Sequence, residues 1–101
     1  MVFTKAASAS NLAPGGKLGV TVNGKPVLIV NVGGSIYAIG GKCTHMGCML
    51  VDGTVTGERI QCVCHGSVFE LKTGAVYHGP ATLPEPSYPI KIEAGNILVD
   101  L

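Results

Sequence analysis

LGVTVNGKPVLIVNV, residues 18–32, carries the reading on which the fold class turns. Apolar residues on either side of Asn23-Gly24-Lys25 suit extended chain, and Asn and Gly both tolerate positive φ. The step therefore marks a tight hairpin joining strands at 18–22 and 26–32. Gly33-Gly34 then turns the chain into SIYAI at 35–39. Further strands are expected at AVYH (75–78), YPIKIE (88–93) and ILVDL (97–101), punctuated by Thr73-Gly74 and Gly95-Asn96. The last two alternate cleanly, with Ile90, Ile92, Ile97, Val99 and Leu101 on one parity. No window of helical length has an apolar face of period 3.6, and fifteen glycines and six prolines would interrupt one. The period is two throughout, which predicts an all-β fold, a small antiparallel β-sandwich or barrel. GPATLPEPSYP, 79–89, holds four of the six prolines and reads as one stiff exposed loop.

Length and composition narrow the function. A chain of 101 residues supports one domain and one modest core. Hydrophobic residues make up 47% and charged residues 13%, which excludes a disordered polyelectrolyte. The formal charge of +1 does not suggest binding to nucleic acid or an anionic membrane. The longest apolar run, VLIV at 27–30, is far below the roughly 20 residues a membrane span needs, so no membrane anchor is expected. MVFTKAASAS at the start has no apolar stretch of the secretory kind.

The chemistry is concentrated in two segments, KCTHMGCML at 42–50 and QCVCHGS at 61–67, which hold all four cysteines and two of the three histidines. Cys43-x-His45 and Cys62-x-x-His65 each present one thiolate and one imidazole, with sixteen residues between His45 and Cys62. This is the donor set of a four-ligand metal site of mixed sulfur and nitrogen. Tetrahedral zinc accepts the same donors, although zinc fingers usually pair Cys with Cys and His with His along the chain. A plant-type ferredoxin site fits the Cys43-x4-Cys48 interval but not Cys62-x-Cys64. Two plain disulfides would leave both histidines unexplained.

CTHMGC followed by CVCHGS resembles the fingerprint of the Rieske family, and the likeness extends to PGGK, the GKPV hairpin, the aromatic strand before Cys43, TGAVYHGPA and the closing Gly-Asn strand pair. The resemblance implies a sandwich with a two-loop cluster-binding subdomain at one end: one domain over 1–101, with a base at 1–41 and 79–101 and a cluster-binding part at about 42–78. It implies one 2Fe-2S cluster, with Cys43 and Cys62 on one iron and His45 and His65 on the other, and a disulfide between Cys48 and Cys64. Two ferric ions, two sulfides and two thiolates sum to zero charge where four thiolates would give −2. An added electron then costs less Coulomb work, and the potential rises. Gly47 and Gly66 would let the backbone turn sharply and bring amide N–H groups toward sulfur. Ser67 resembles the serine whose hydroxyl bonds a cluster sulfide, and Pro80 belongs to the same surrounding shell. At Phe69 the sequence departs from high-potential members, which place a tyrosine there whose hydroxyl bonds a ligand sulfur.

Met46 and Met49 suit either core filling or an apolar docking tip beside His45. His78 reads as a solvated strand-end histidine and not a ligand. No nucleophile with a base, paired carboxylates or phosphate loop is visible. The function implied is one-electron transfer by a soluble ferredoxin, a carrier and not a stand-alone enzyme, serving redox-protein partners as a monomer. Its histidines would couple electron uptake to proton uptake at alkaline pH. The alternatives are an electron-transfer subunit of a quinol-oxidising, molybdenum or oxygenase complex, and a zinc-stabilised binding module. The usual oxygenase ferredoxins lack the 48/64 cysteine pair, which argues against them. The location expected is cytoplasmic. An extracytoplasmic one would follow from a removed signal, and a thermophilic host would reconcile a disulfide with the cytosol.

Overall fold

A computed structural model describes residues 3–44, 47–64 and 66–100; His45, Met46 and His65 lie outside the described residues. Eleven strands are described, in three antiparallel sheets. The first sheet has the order β1 (Phe3–Ser8), β11 (Asn96–Asp100), β10 (Ile90–Glu93). The second runs β2 (Lys17–Val22), β3 (Lys25–Val32), β4 (Ser35–Gly40), β9 (Ser87–Tyr88). The third is built wholly from the segment between them: β5 (Thr54–Thr56), β6 (Arg59–Gln61), β7 (Val68–Glu70), β8 (Val76–His78).

The 18–32 hairpin forms as read. Val22 pairs with Lys25 around Asn23 (φ 51°) and Gly24 (φ 78°), the doubly left-handed turn whose twist suits paired strands. Gly33 and Gly34, at φ 58° and 97°, repeat the device between β3 and β4. Asn31 Oδ1 accepts the Gly34 N–H across this second turn, and Asn31 Nδ2 donates to the Leu12 carbonyl. Between β10 and β11 the turn falls at Ala94-Gly95, not Gly95-Asn96. Ala94 is held at φ 51°, a conformation no side-chain signal announces.

Period two in β3 decides the packing. Val27 and Ile29 join Val22, Leu12, Ala38, Ile97 and Val99 in one core, while Leu28 and Val30 join Ile39, Leu50, Ile60, Phe69 and Leu71 in another. The middle sheet therefore serves two cores, and VLIV is apolar at consecutive positions because the strand is covered on both faces. Ile97 and Val99 are fully buried as their parity predicts, but Ile92 is half exposed on the edge strand β10.

The proline-rich segment corrects the expectation of a simply exposed loop. Ala81 and Glu85 are buried, and Ser87-Tyr88 form β9 against Ala38 and Ile39. The physical reason is a row of long-range hydrogen bonds. The Ala81 N–H donates to Ser67 Oγ, the Thr44 hydroxyl to the Leu83 carbonyl, the Glu85 N–H to the Gly74 carbonyl and the Gly40 N–H to the Pro86 carbonyl. Gly74 is the tightest point. It sits at φ 77°, and a Cβ there would run into the Glu85 carbonyl oxygen. Gly74→Ala is accordingly expected to lower stability by roughly 3 kcal/mol in denaturant titration, from left-handed strain and backbone collision together.

Candidate metal centre

Two hairpin loops of six residues, 43–48 and 62–67, stand at adjacent ends of the second and third sheets. The first leaves β4 through Gly41 and Lys42 and is closed by the Lys42–Met49 bridge; the second connects β6 to β7 and is closed by the Gln61–Val68 pair. Their backbones follow one plan. The Cys43 N–H donates to the Cys48 carbonyl (2.7 Å) and the Gly47 N–H to the Cys43 carbonyl (2.8 Å). In the second loop the Cys62 N–H donates to the Ser67 carbonyl (2.7 Å) and the Gly66 N–H to the Cys62 carbonyl (3.2 Å). Gly47 (φ 74°) and Gly66 (φ 80°) occupy the same left-handed position of each loop, as the sequence requires of glycine there. Their own N–H groups, however, close the turn on the cysteine carbonyl and are not spent on sulfur.

The leading cysteines of the two loops are equivalent and both are inside. Cys43 and Cys62 are each 3% exposed, in the core that contains Phe69, Leu50, Ile60 and Ala81. Cys48 and Cys64 are joined as a disulfide with a Cα–Cα distance of 6.4 Å, tying the loops together. The Cys62 sulfur lies beside that bridge, the three sulfurs of Cys48, Cys62 and Cys64 all falling within 4.8 Å of one another. Ser67 is fully buried and accepts the Ala81 N–H at 3.0 Å, which leaves its own O–H to donate. Phe69 is fully buried on β7, Pro80 is exposed after a cis Gly79-Pro80 bond, and His78 is exposed on β8, consistent with a solvated residue. Met49 is exposed, while Met46, His45 and His65 lie outside the described residues.

Three residues escaped the sequence reading. Val63 (64% exposed) sits between the cysteines of the second loop, and Leu83 (63% exposed) is tied to the first loop by Thr44. Val63 had a signal in its place inside the motif; Leu83 had none. The third is Glu85, 4% exposed, whose Oε2 has no hydrogen-bond partner. Burial pushes its carboxyl up to about 7, against the backbone N–H of Thr44, which pulls the other way.

Buried thiols at equivalent positions of two cross-linked loops, with a serine hydroxyl still able to donate, fit a small iron–sulfur group held between the loops. Fold and loops together define a class: small all-β domains that hold a metal centre between paired hairpin loops. Comparison with known proteins makes the assignment specific. The Rieske [2Fe-2S] domain family matches residues 2–89. The ferredoxin component of the naphthalene 1,2-dioxygenase system of Pseudomonas putida is 37% identical over 99 residues, covering 98% of this chain and 95% of that one. The cytochrome b6-f complex iron-sulfur subunit of Chlorobaculum tepidum is 40% identical over 79 residues, covering 78% of this chain and 42% of that one. Among solved structures, the ferredoxin of carbazole 1,9a-dioxygenase from Nocardioides aromaticivorans IC177 superposes with a TM-score of 0.91 at 32% identity, covering 98% and 97% of the two chains. The chain belongs to the Rieske [2Fe-2S] domain family. It is an electron-transfer protein with one Rieske-type 2Fe-2S cluster. Overall similarity to dioxygenase ferredoxins runs against the expectation drawn from the 48/64 pair, since here that similarity and the disulfide occur in one chain. No helix among the described residues is long and apolar enough to cross a membrane.

In denaturant and without reductant, the cluster-free protein should show two thiols to an alkylating reagent, at Cys43 and Cys62, and four after reduction. Replacing Cys48 and Cys64 together should cost about 3 kcal/mol in stability, the entropy of a loop of this length. Mass spectrometry and denaturant titration respectively check the two outcomes.

Proposed function

We propose that Cys43 and Cys62 hold one iron of the cluster and His45 and His65 the other, and that the chain works as a mobile carrier passing single electrons between two protein partners. When bound, the cluster supplies the one-electron couple. The observation that carries the assignment is the shared backbone plan of the two loops, which puts Cys43 and Cys62 at equivalent buried positions. Residues 42–78 would act as the cluster-binding part, on a base formed by 1–41 and 79–101. The chain's own residues exclude water from the sulfur side: Leu50, Ile60, Phe69 and Ala81 pack there. A dry surround keeps reorganisation small and strengthens each hydrogen bond to sulfur.

The acceptor proposed is a multicomponent oxygenase, in keeping with the names of the relatives that the chain matches over nearly its full length. Docking would use the exposed apolar residues on and beside the loops, Met49, Val63 and Leu83; Met46, the other residue expected at such a tip, lies outside the described residues. Exposed apolar residues around a redox centre suit a brief, desolvated contact better than a permanent one. A second reading, an electron-transfer subunit of a quinol-oxidising complex, is favoured by the Cys48–Cys64 bridge and by the cytochrome b6-f relative. Protein-film voltammetry over a range of pH separates the two, through a low potential for the oxygenase carrier and a high one for the quinol-linked subunit.

His45→Ala and His65→Ala should each abolish the Rieske electron paramagnetic resonance and visible spectra while the fold persists by circular dichroism. A normal spectrum in either variant would overturn the ligand assignment.

Phe69 sets a second test. Its ring is fully buried in the same core as Cys43, and a hydroxyl donated from that ring to a ligand sulfur favours the more negative, reduced state. Phe69→Tyr should therefore raise the potential. If the new hydrogen bond is stronger by about 1 kcal/mol on reduction, the rise is roughly 40 mV. An unchanged potential in a protein with an intact spectrum would show that Phe69 does not face that sulfur.

A further inference from the structure

Glu85 is the one buried side chain among the described residues with an oxygen left without a partner. A buried carboxyl oxygen without a partner ordinarily costs stability, and each such group in a fold calls for an explanation. Three features of its setting point the same way. First, its carboxyl faces the backbone N–H of Thr44, the residue between the proposed ligands Cys43 and His45. Second, its main chain is fixed by the Glu85 N–H bond to the Gly74 carbonyl, and Oε1 occupies the space a side chain at Gly40 would need, so glycine there is what admits the carboxyl. Third, it borders a recess of about 190 Å³ shared with Lys25, Lys42, Pro86 and Tyr88. Oε2 itself has essentially no accessible surface.

We propose that Glu85 is a proton-binding site coupled to the electron-transfer reaction, taking up one proton from solvent when an electron arrives beside the first loop and releasing it when the electron leaves. The proposal rests on the assignment of Cys43 and His45 as ligands. Charge balances at each step: one electron and one proton enter together and leave together. The physical cause is Coulombic. A negative charge added next to a buried, poorly screened carboxylate raises its affinity for a proton, and by linkage the proton raises the affinity for the electron equally. The groups facing Glu85 do not cancel this. Lys25 from β3 and Lys42 from the first loop line the recess, but neither is an ion-pair partner of Glu85. Tyr88 from β9 is itself pushed up, by burial and then by the Glu85 charge, and stays neutral. The ordinary position of the carboxyl, near pH 7 by burial, puts this exchange in the neutral range and apart from the alkaline step expected of the histidines.

The test is the potential of the loaded protein against pH, for the natural chain and for Glu85→Gln. The natural chain should show a fall in potential across neutral pH; each tenfold rise in proton affinity on reduction appears as about 59 mV. Glu85→Gln should remove that fall and keep the alkaline one. A natural chain with a flat potential through neutral pH, or a variant that retains the slope, would overturn the proposal. Failure of the ligand assignment is distinguishable, because it shows as an altered spectrum and not as a missing slope. Should the variant fail to load, redox-difference infrared spectroscopy of the natural chain decides: a protonated-carboxyl band that grows on reduction at pH 7 supports the proposal, and its absence refutes it. Stability supplies a readout without the cluster. A carboxyl raised in the folded state contributes fully below the ordinary carboxyl range, and the contribution is lost as pH rises through about 7. The cluster-free natural chain should therefore lose stability over that window, and Glu85→Gln should not.

Discussion

Strand β3 has no solvent face, and the rest of the molecule is arranged around that fact. Its odd residues, Val27 and Ile29, complete the core against the first sheet, and its even residues, Leu28 and Val30, complete the core against the third. A slip of one residue would exchange the two sets, so the turns at Asn23-Gly24 and Gly33-Gly34 fix register for both cores at once. The same strand sets the height of the first cysteine loop. The Pro26 carbonyl just inside β3 accepts the Gly41 N–H, and the Gly41 carbonyl accepts that of Leu50, so the loop hangs from the most deeply buried strand.

From that anchor the site is built by duplication of a backbone device rather than of a sequence. Cys43 and Cys62 share a position, as do Gly47 and Gly66, but Cys48 of the first loop matches Ser67 of the second and not Cys64. The disulfide therefore joins non-equivalent positions. It locks one loop against the other in a single relative placement, which a symmetric pair of turns would not do by itself. The proline-rich segment finishes the arrangement by covering the loops, through Ser67 on one and Thr44 on the other.

What could be read from the sequence follows the range of each interaction. Hairpin turns and strand parity are local, and the all-β fold and the strand at 27–30 agree with them, while the Cys48–Cys64 bridge agrees with what the family resemblance implied. Misjudged features depend on partners far along the chain. Nothing in GPATLPEPSYP reveals that Ala81 will meet Ser67 or that the Glu85 N–H will bond Gly74, and so a segment rich in proline reads as exposed. Ile92 has the right parity but lies on an edge strand, and parity names a face without saying what covers it. Ala94 shows the remaining gap: a turn can impose positive φ on a residue that carries no preference for it, when the flanking strands are held elsewhere.

The three buried polar side chains among the described residues show where this fold departs from a purely structural solution. Asn31 uses both ends of its amide, one on Leu12 and one on Gly34, and so pins the base without leaving a donor or acceptor over. Ser67 is half used, accepting from Ala81 and keeping a proton to donate toward the loops. Glu85 is the least satisfied, with Oε2 unpartnered and its carboxyl facing the backbone N–H of Thr44. Each unmet polar group lowers the gap to the unfolded state. Incomplete pairing suits a place where a charge comes and goes, since a site fully satisfied in one charge state is mismatched in the other. An oxygen left without a partner at Glu85 and a proton left to donate at Ser67 are the two buried side-chain groups among the described residues able to answer a change of charge at the loops.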